Sequence, residues 1–316
     1  MSEFWNGKNI VVTGGAGFLG THLVEMLWAA GAAGVFVPRS DMFDLRDPGT
    51  AKGLLSWGDG APDIVFHLAA HVSGIHSTSA TPAEHIYDNA MMALNMIHAS
   101  HVAGCKIVVA GSVCAYPEHA ITPMVEEALW KGAPEPTNAS YGEAKRLALA
   151  TLQAYHQQHG LRSAYLLSGN LYGPGDHFDP ATSHVIPALI RKVAEAQQRG
   201  DAGIPVWGSG RATRDFLYVK DAARAYMLAA EKINEPTPIN IGSGYEISIA
   251  SLVELIKTAM GFQGDTVFDT SKPDGQLRRC LRLWKAEDLM GWKATMGLED
   301  GLRETIEWWR GNNGAI

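Results

Sequence analysis

Apolar positions along this chain alternate between two patterns. Lys8 to Thr13 reads KNIVVT, a short, nearly all-apolar, β-branched run of the kind buried on both faces of a parallel sheet. A glycine-rich turn follows. Thr21 to Ala30 (THLVEMLWAA) then carries apolar residues at helical spacing and stops before Gly31, which suits a helix C-cap. The same rhythm predicts strands around Val35 to Pro38, at Asp63 to Ala70 and at Lys106 to Ala110, with a helix over Glu84 to Ala103. A proline-rich loop, Ala133 to Thr137, precedes a helix from about Tyr141 to His159 and a strand at Arg162 to Leu167. Such alternation specifies an α/β fold: a Rossmann-type, doubly wound parallel sheet.

Beyond Asn170 the alternation loosens. LYGPGDHFDPATS forms a long glycine and proline loop, of the sort that is commonly functional, before a helix from Val185 to about Gln198. Short strands near Val206 and Phe216, the segment Pro238 to Gly242, and helices at about Ile249 to Met260 and Leu298 to Trp309 predict a smaller mixed α/β C-terminal lobe. The expected division is a dinucleotide-binding domain over residues 1–170 and a substrate-binding lobe over 171–316, with some chain returning to the first domain.

Composition narrows the class. The chain has 316 residues, 46% hydrophobic and 19% charged, enough for a large core and unlike disordered, collagenous or coiled-coil chains. Its net charge of −7 argues against a nucleic-acid partner. Residues 1–160 hold 8 basic against 14 acidic side chains, and residues 161–316 hold 18 against 19. The second half thus has more means to grip the phosphates of a small anionic ligand, although a mixed solvated surface accounts better for any single charge. Three cysteines, an odd number in a chain too large to need disulfide staples, fit a reducing, cytoplasmic setting. No basic segment followed by an apolar stretch opens the chain, and no uncharged apolar run approaches the ~18 residues of a membrane span, so neither export nor a membrane partner is expected.

Gly14, Gly17 and Gly20 form a GxxGxxG turn between the first strand and helix. Glycine allows the tight turn and the close approach of backbone to a pyrophosphate seated on the positive end of the helix dipole. The second strand ends in ValProArgSer (37 to 40), where an NAD site usually places an acid for the ribose hydroxyls. Arg39 can instead meet a 2′-phosphate, which favours NADP(H). Asp41 lies close by, so the segment reads equally as a surface loop that does not discriminate, and NAD(H) stays possible.

Tyr141 and Lys145 lie four residues apart on one helical face. A nearby cation can lower a phenol's pKa by ~1 to 3 units and make it usable as a proton donor near neutrality. Ser112, at the carboxyl end of the Lys106 to Ala110 strand, lies where ligands of open α/β sheets bind, and its hydroxyl can polarise the same carbonyl oxygen. Among the histidines, His67, His71, His76 and His85 are close in sequence and His98 with His101 can share a helix side, but no acid or cysteine completes a metal set.

The glycine loop, HisLeuAlaAla at 67 to 70, Asn89, Ser112, Tyr141 and Lys145 resemble the extended short-chain dehydrogenase/reductase family, which works on nucleotide sugars with a bound nicotinamide. GlySerValCysAlaTyrPro (111 to 117), AsnLeuTyrGlyProGlyAsp (170 to 176), SerHisValIleProAlaLeuIle (183 to 190), ValTrpGlySerGly (206 to 210), ArgAspPheLeuTyrVal (214 to 219) and SerLysProAspGly (271 to 275) are similar to its branch that epimerises C3 and C5 of GDP-4-keto-6-deoxy-D-mannose and reduces C4. The resemblance implies that Cys114 and His184 exchange the protons α to the ketone from opposite faces, beside a catalytic Ser112, Tyr141 and Lys145. It implies coenzyme contacts from Gly14, Gly17, Phe18, Leu19, Gly20, Arg39, Asp44, Leu45, Leu68, Ala69, Ala70, Asn170 and Leu171, together with Tyr141, Lys145 and His184. It implies a GDP-sugar substrate held by Lys192, Trp207, Arg214 and Asp274, with Ser112 and Asn170 near the sugar, and a homodimer through the helices Glu84 to Ala103 and Tyr141 to His159.

From the residues alone, Cys114 reads more readily as a buried small hydrophobe and His184 as incidental, while Trp207 can be core and Arg214 can pair with Asp215 or another acid. The sequence departs from the branch at Ala16, often an arginine, at HisValSerGlyIle (71 to 75) in place of LysValGlyGlyIle, and at Val113 in place of a second serine. A related GDP-4-keto heptose or dideoxy sugar, a UDP-sugar 4-epimerase retaining NAD, and a non-catalytic dinucleotide sensor stay open as alternatives.

Overall fold

The computed structural model describes residues 3–56, 60–72, 80–180, 182–272 and 274–313. Its centre is a six-stranded parallel sheet of β1 (Asn9–Thr13), β2 (Gly34–Phe36), β3 (Ile64–His67), β4 (Lys106–Ala110), β5 (Ser163–Ser168) and β9 (Pro238–Ile241), in the order β2-β1-β3-β4-β5-β9. Successive strand residues point to opposite faces, and here both faces are covered. Ile10, Val12, Phe66, Val108 and Leu166 pack on α1 (Phe18–Ala29) and α6 (Val219–Lys232). Val11, Val65, Ile107, Val109 and Leu167 pack on α2 (Pro48–Leu54), α3 (Pro82–Ala103) and α4 (Ala139–His159). Burial on two sides is why the strands are continuously apolar.

The smaller part is built on β8 (Thr213–Tyr218), which pairs in parallel with β6 (Asn170–Tyr172) and β12 (Arg278–Arg279) and antiparallel with β10 (Glu246–Ser248). A separate pair joins β7 (Gly203–Trp207) to β11 (Asp265–Asp269). Its core is closed by α5 (Val185–Arg199), α7 (Ile249–Met260) and α9 (Leu298–Asn313). The short α8 (Trp284–Met290) instead returns to the main sheet, where Ala286 and Met290 join the α1 and α6 face. Among the described residues no helix is long and apolar enough to cross a membrane.

Three elements differ from the sequence expectation. Pro238–Ile241, expected in the C-terminal lobe, is the last strand of the main sheet, in register with Tyr165 to Ser168; its apolar run fills the open edge of β5. Helix α1 begins at Phe18 rather than Thr21, with Gly17 as its N-cap, because Gly20, the last glycine of the motif, already belongs to its first turn. Helix α2 was absent from the apolar pattern, yet Asp47 caps it by accepting from the N–H groups of Gly49 and Thr50, with Pro48 at its first position.

Candidate active site

Gly14 takes a left-handed φ of 71°, and a Cβ there would meet the Ala69 nitrogen at 2.7 Å. A Cβ at Gly20 would meet the Gly14 carbonyl oxygen at 2.1 Å. Only glycine lets the loop fold back on the start of α1 while lying against the end of β3, so a backbone cradle faces the open cleft above the sheet. This cradle fits a dinucleotide diphosphate.

The cleft encloses about 940 Å³. Gly14, Gly17, Phe18, Leu19 and Gly20 form its floor, and Leu68, Ala69 and Ala70 continue it from the end of β3. Arg39, Asp44 and Leu45 line the end beyond β2. There Arg46, which the sequence reading passed over, donates to both oxygens of Asp44 and, at 3.1 Å, to Asp88, and this pairing holds the Asp44 carboxyl down to about 2. Among the described residues Arg39 makes no ion pair within 4.0 Å.

The opposite wall gathers the side chains expected to do chemistry: Ser112, Cys114, Tyr141, Lys145, Asn170, Leu171 and His184 all face the same cleft. Ser112 lies two residues past the end of β4 and caps a short turn, its Oγ accepting from the Cys114 N–H at 3.1 Å. Gly142 lets α4 press on that turn, since a Cβ there would meet the Cys114 carbonyl oxygen at 2.4 Å. Cys114 is half-buried and opens on the cleft, so it is not the sealed hydrophobe of the simpler reading.

The Lys145 ammonium lies 5.3 Å from the centre of the Tyr141 ring. The expected lowering of the phenol's pKa does not occur. Burial pushes Tyr141 well above the usual phenol range, and Cys114 and Tyr226 add to the rise. Burial likewise pulls Lys145 down to about 8. Both groups are desolvated together, and that outweighs the charge of one on the other.

His184 is the N-cap residue of α5. The concave wall crowds its imidazole without covering it, so desolvation, then the charge of His177, lowers its pKa below the ordinary value. His177 and Asp176, both absent from the sequence-derived set, line the cleft beside it; burial raises the Asp176 carboxyl to about 7.

The four residues expected to hold the nucleotide lie on the smaller part, outside the walls of this cleft. Trp207 is 55% exposed, not core, and the ammonium groups of Lys192 and Lys272 each lie 5.6 Å from its ring centre. Asp274 accepts from Ser209 N and Oγ, both at 2.7 Å. Arg214 does not pair with Asp215, which instead accepts from Ser243. Its guanidinium donates to the carbonyl oxygens of Thr213 and Gln276, and burial, then the neighbouring Arg279, lowers its pKa to about 10. Arg279 bridges the two groups, with Nη1 3.8 Å from the Cys114 sulfur. Local pattern carried no signal for that contact, which spans 165 positions.

His67 is buried at the end of β3, 2.9 Å from Thr13 Oγ1, and burial, then the charge of Lys145, lowers it to about 3. His71 stacks on His85 and meets Asp88 at 2.9 Å, while His76 lies outside the described residues. Among the described residues no group of three or more His, Cys, Asp or Glu is arranged to hold a metal.

A glycine cradle on α1, a serine just past the end of β4 and a tyrosine–lysine pair on α4, all on one cleft, define a Rossmann-type enzyme that works with a dinucleotide. The chain belongs to the NAD dependent epimerase/dehydratase family, which it matches over residues 10–242. It is similar to a GDP-L-fucose synthase of Sinorhizobium fredii, 40% identical over 303 residues and covering 96% of this chain and 95% of that one. A solved GDP-6-OMe-4-keto-L-xylo-heptose reductase from C. jejuni superposes with a TM-score of 0.91 at 29% identity, covering 97% and 99%. A solved GDP-L-fucose synthetase from Naegleria fowleri bound to NADP superposes with a TM-score of 0.87 at 30% identity, covering 98% and 95%.

Proposed function

We propose that this enzyme is a 3,5-epimerase and 4-reductase that converts GDP-4-keto-6-deoxy-D-mannose to GDP-L-fucose with NADPH. The observation that carries the reading is that Cys114 and His184 face the same cleft as Ser112, Tyr141 and Lys145. A plain reductase has no use for a thiol and an imidazole beside its phenol. An epimerase needs both, because a centre is inverted only when a proton leaves one face and another arrives on the opposite one.

Cys114 takes the proton from the carbon beside the ketone. Ser112 and Tyr141 donate hydrogen bonds to the oxygen on which the enolate charge gathers. His184 returns a proton from the other face, and the exchange repeats at the second carbon. A bound nicotinamide supplies hydride at C4. Tyr141 delivers the proton to the oxygen, and Lys145, one turn along α4, orients it and holds the coenzyme ribose. Lys192, Trp207, Arg214 and Asp274 offer the GDP moiety point charge, an exposed ring, a forked donor and an acceptor. Arg39, with no carboxylate within reach among the described residues, suits the 2′-phosphate of NADPH.

A reductase acting on a GDP-4-keto heptose is the second reading, supported by the TM-score of 0.91 to the C. jejuni heptose reductase. Mass spectrometry of products made from GDP-4-keto-6-deoxymannose with NADPH or NADH in heavy water separates the two. GDP-fucose carrying two deuterons supports epimerisation and reduction, whereas reduction without exchange leaves only the second reading.

We further infer a cytoplasmic homodimer joined through α3 and α4, which leave Ile86, Tyr87, Val102 and Leu147 exposed. Sedimentation at two protein concentrations tests the assembly.

A further inference from the structure

The Cys114 sulfur is a weak base unless something favours its anion. Three charged or titratable groups face it: Arg279 from β12, Arg214 from β8 and Tyr141 from α4. Among the described residues Arg279 makes no ion pair within 4.0 Å, and the carboxylate its charge reaches is that of Glu135. Its guanidinium is also held in place. Arg279 Nε donates to Gln276 Oε1 at 3.1 Å, and Gln276 Nε2 donates to the Glu118 carbonyl oxygen at 2.9 Å. Gln276 thereby clips the β12 segment to the loop that runs on from Cys114. On the other side, Ser112 Oγ fixes the Cys114 backbone. The Cys114 backbone is thus held on one side while the Arg279 guanidinium, whose charge also reaches the Glu135 carboxylate, meets the sulfur on the other.

We propose that Arg279 is the positioning residue for Cys114: its guanidinium steers the sulfur into the cleft and stabilises it as the thiolate that takes the sugar's proton. The inference rests on the epimerase reading above. In the step it serves, the C–H bond beside the ketone breaks, its proton goes to sulfur, and its electron pair becomes the enolate whose oxygen Ser112 and Tyr141 hold. The charge on sulfur disappears as the charge on oxygen appears. Arg279 therefore acts before the transfer, by keeping the base in its reactive form.

The test is the rate at which iodoacetamide labels Cys114 in the full-length protein at pH 7, followed by mass spectrometry, with buried Cys105 and Cys280 as internal controls. Removing one cation from beside a thiolate lowers the reactive fraction by about tenfold or more, so Arg279→Met should label about tenfold more slowly. Arg279→Lys restores a point charge and should recover most of the rate. Should Arg279→Met not fold, Arg279→Gln takes its place. Labelling of the uncharged variant at the wild-type rate overturns the proposal, and so does equal slowing in Arg279→Lys, which would mean that shape and not charge matters. If Arg279 only grips the diphosphate, KM rises while labelling is unchanged, again overturning it. Absence of deuterium wash-in by the wild-type enzyme removes the epimerase reading but leaves the labelling contrast intact, so the two failures are distinguishable.

Discussion

Lys145 lies beneath Tyr141 with its ammonium 5.3 Å from the ring centre, and the same burial that raises the phenol lowers the amine to about 8. The sign follows directly. Below pH 8 Lys145 carries its charge and can orient both phenol and coenzyme; above it the charge is lost. Single-turnover reduction, read as loss of NADPH absorbance, should therefore fall as pH rises through about 8. In Lys145→Met the rate should drop by roughly 10²-fold, within the range typical of a lost acid–base partner, and that limb should vanish. A limb at the same pH in Lys145→Met would assign it to another group.

Cys114→Ser should remove deuterium exchange into the sugar by roughly 10²-fold or more while hydride transfer to a pre-epimerised 4-keto sugar persists, because a thiol, with a pKa of about 8.5, can supply its anion as the base near neutrality and a serine hydroxyl cannot. His184→Gln should block exchange at the same positions. Unchanged exchange in either variant would exclude that side chain as acid or base.

Arg39 and Arg46 should respond differently to replacement. Arg46 is occupied by Asp44 and Asp88. Arg39→Ala should weaken NADPH by roughly 10- to 100-fold, the worth of one charge-assisted hydrogen bond, and leave NADH within about threefold. Calorimetric titration of the two coenzymes measures this, and an equal loss for both would place Arg39 away from the 2′-phosphate.

Asn240 anchors the catalytic loop to β9. Its Oδ1 accepts from Tyr116 at 2.7 Å, its Nδ2 donates to the carbonyl oxygens of Met124 at 3.0 Å and Arg282 at 3.1 Å, and its N–H meets Glu126 Oε1 at 2.9 Å. Asn240→Ala strands a buried phenol and two carbonyls, which should cost about 3 kcal/mol. A fall in the urea midpoint at unchanged slope would report it; a loss under about 1 kcal/mol would mean that water replaces the side chain.

Most of the main sheet and many of the side chains that line the cleft were legible because both depend on local pattern. Five-residue apolar strands, helices with periodic faces, the glycine turn and the Tyr141–Lys145 pair each announce themselves within about a dozen positions. Helix α2 escaped because Gly49 and Gly53 dilute its apolar face, although Asp47 and Pro48 marked its start. In the smaller part the three long helices and the strands near Val206 and Phe216 were legible, but β10 and β12 escaped, being three and two residues long and existing only as partners of β8. Arg279 escaped with them, since what aims it at Cys114 is pairing with β8 at Arg214, not anything near it in the chain. The opposed shifts of Tyr141 and Lys145 could not be read from spacing either, because they depend on how many atoms surround the pair.

Strand β9 arrives from the far half of the chain to close the edge beside β5. Cutting the gene after residue 170 would therefore release no self-sufficient nucleotide module. It would leave the backbone donors and acceptors of Tyr165 to Ser168 bare, an adhesive margin that invites intermolecular pairing. The lobe, in turn, cannot be swapped for another as a cassette without carrying this stitch with it. Specificity in this scaffold has to evolve within a single cooperative body.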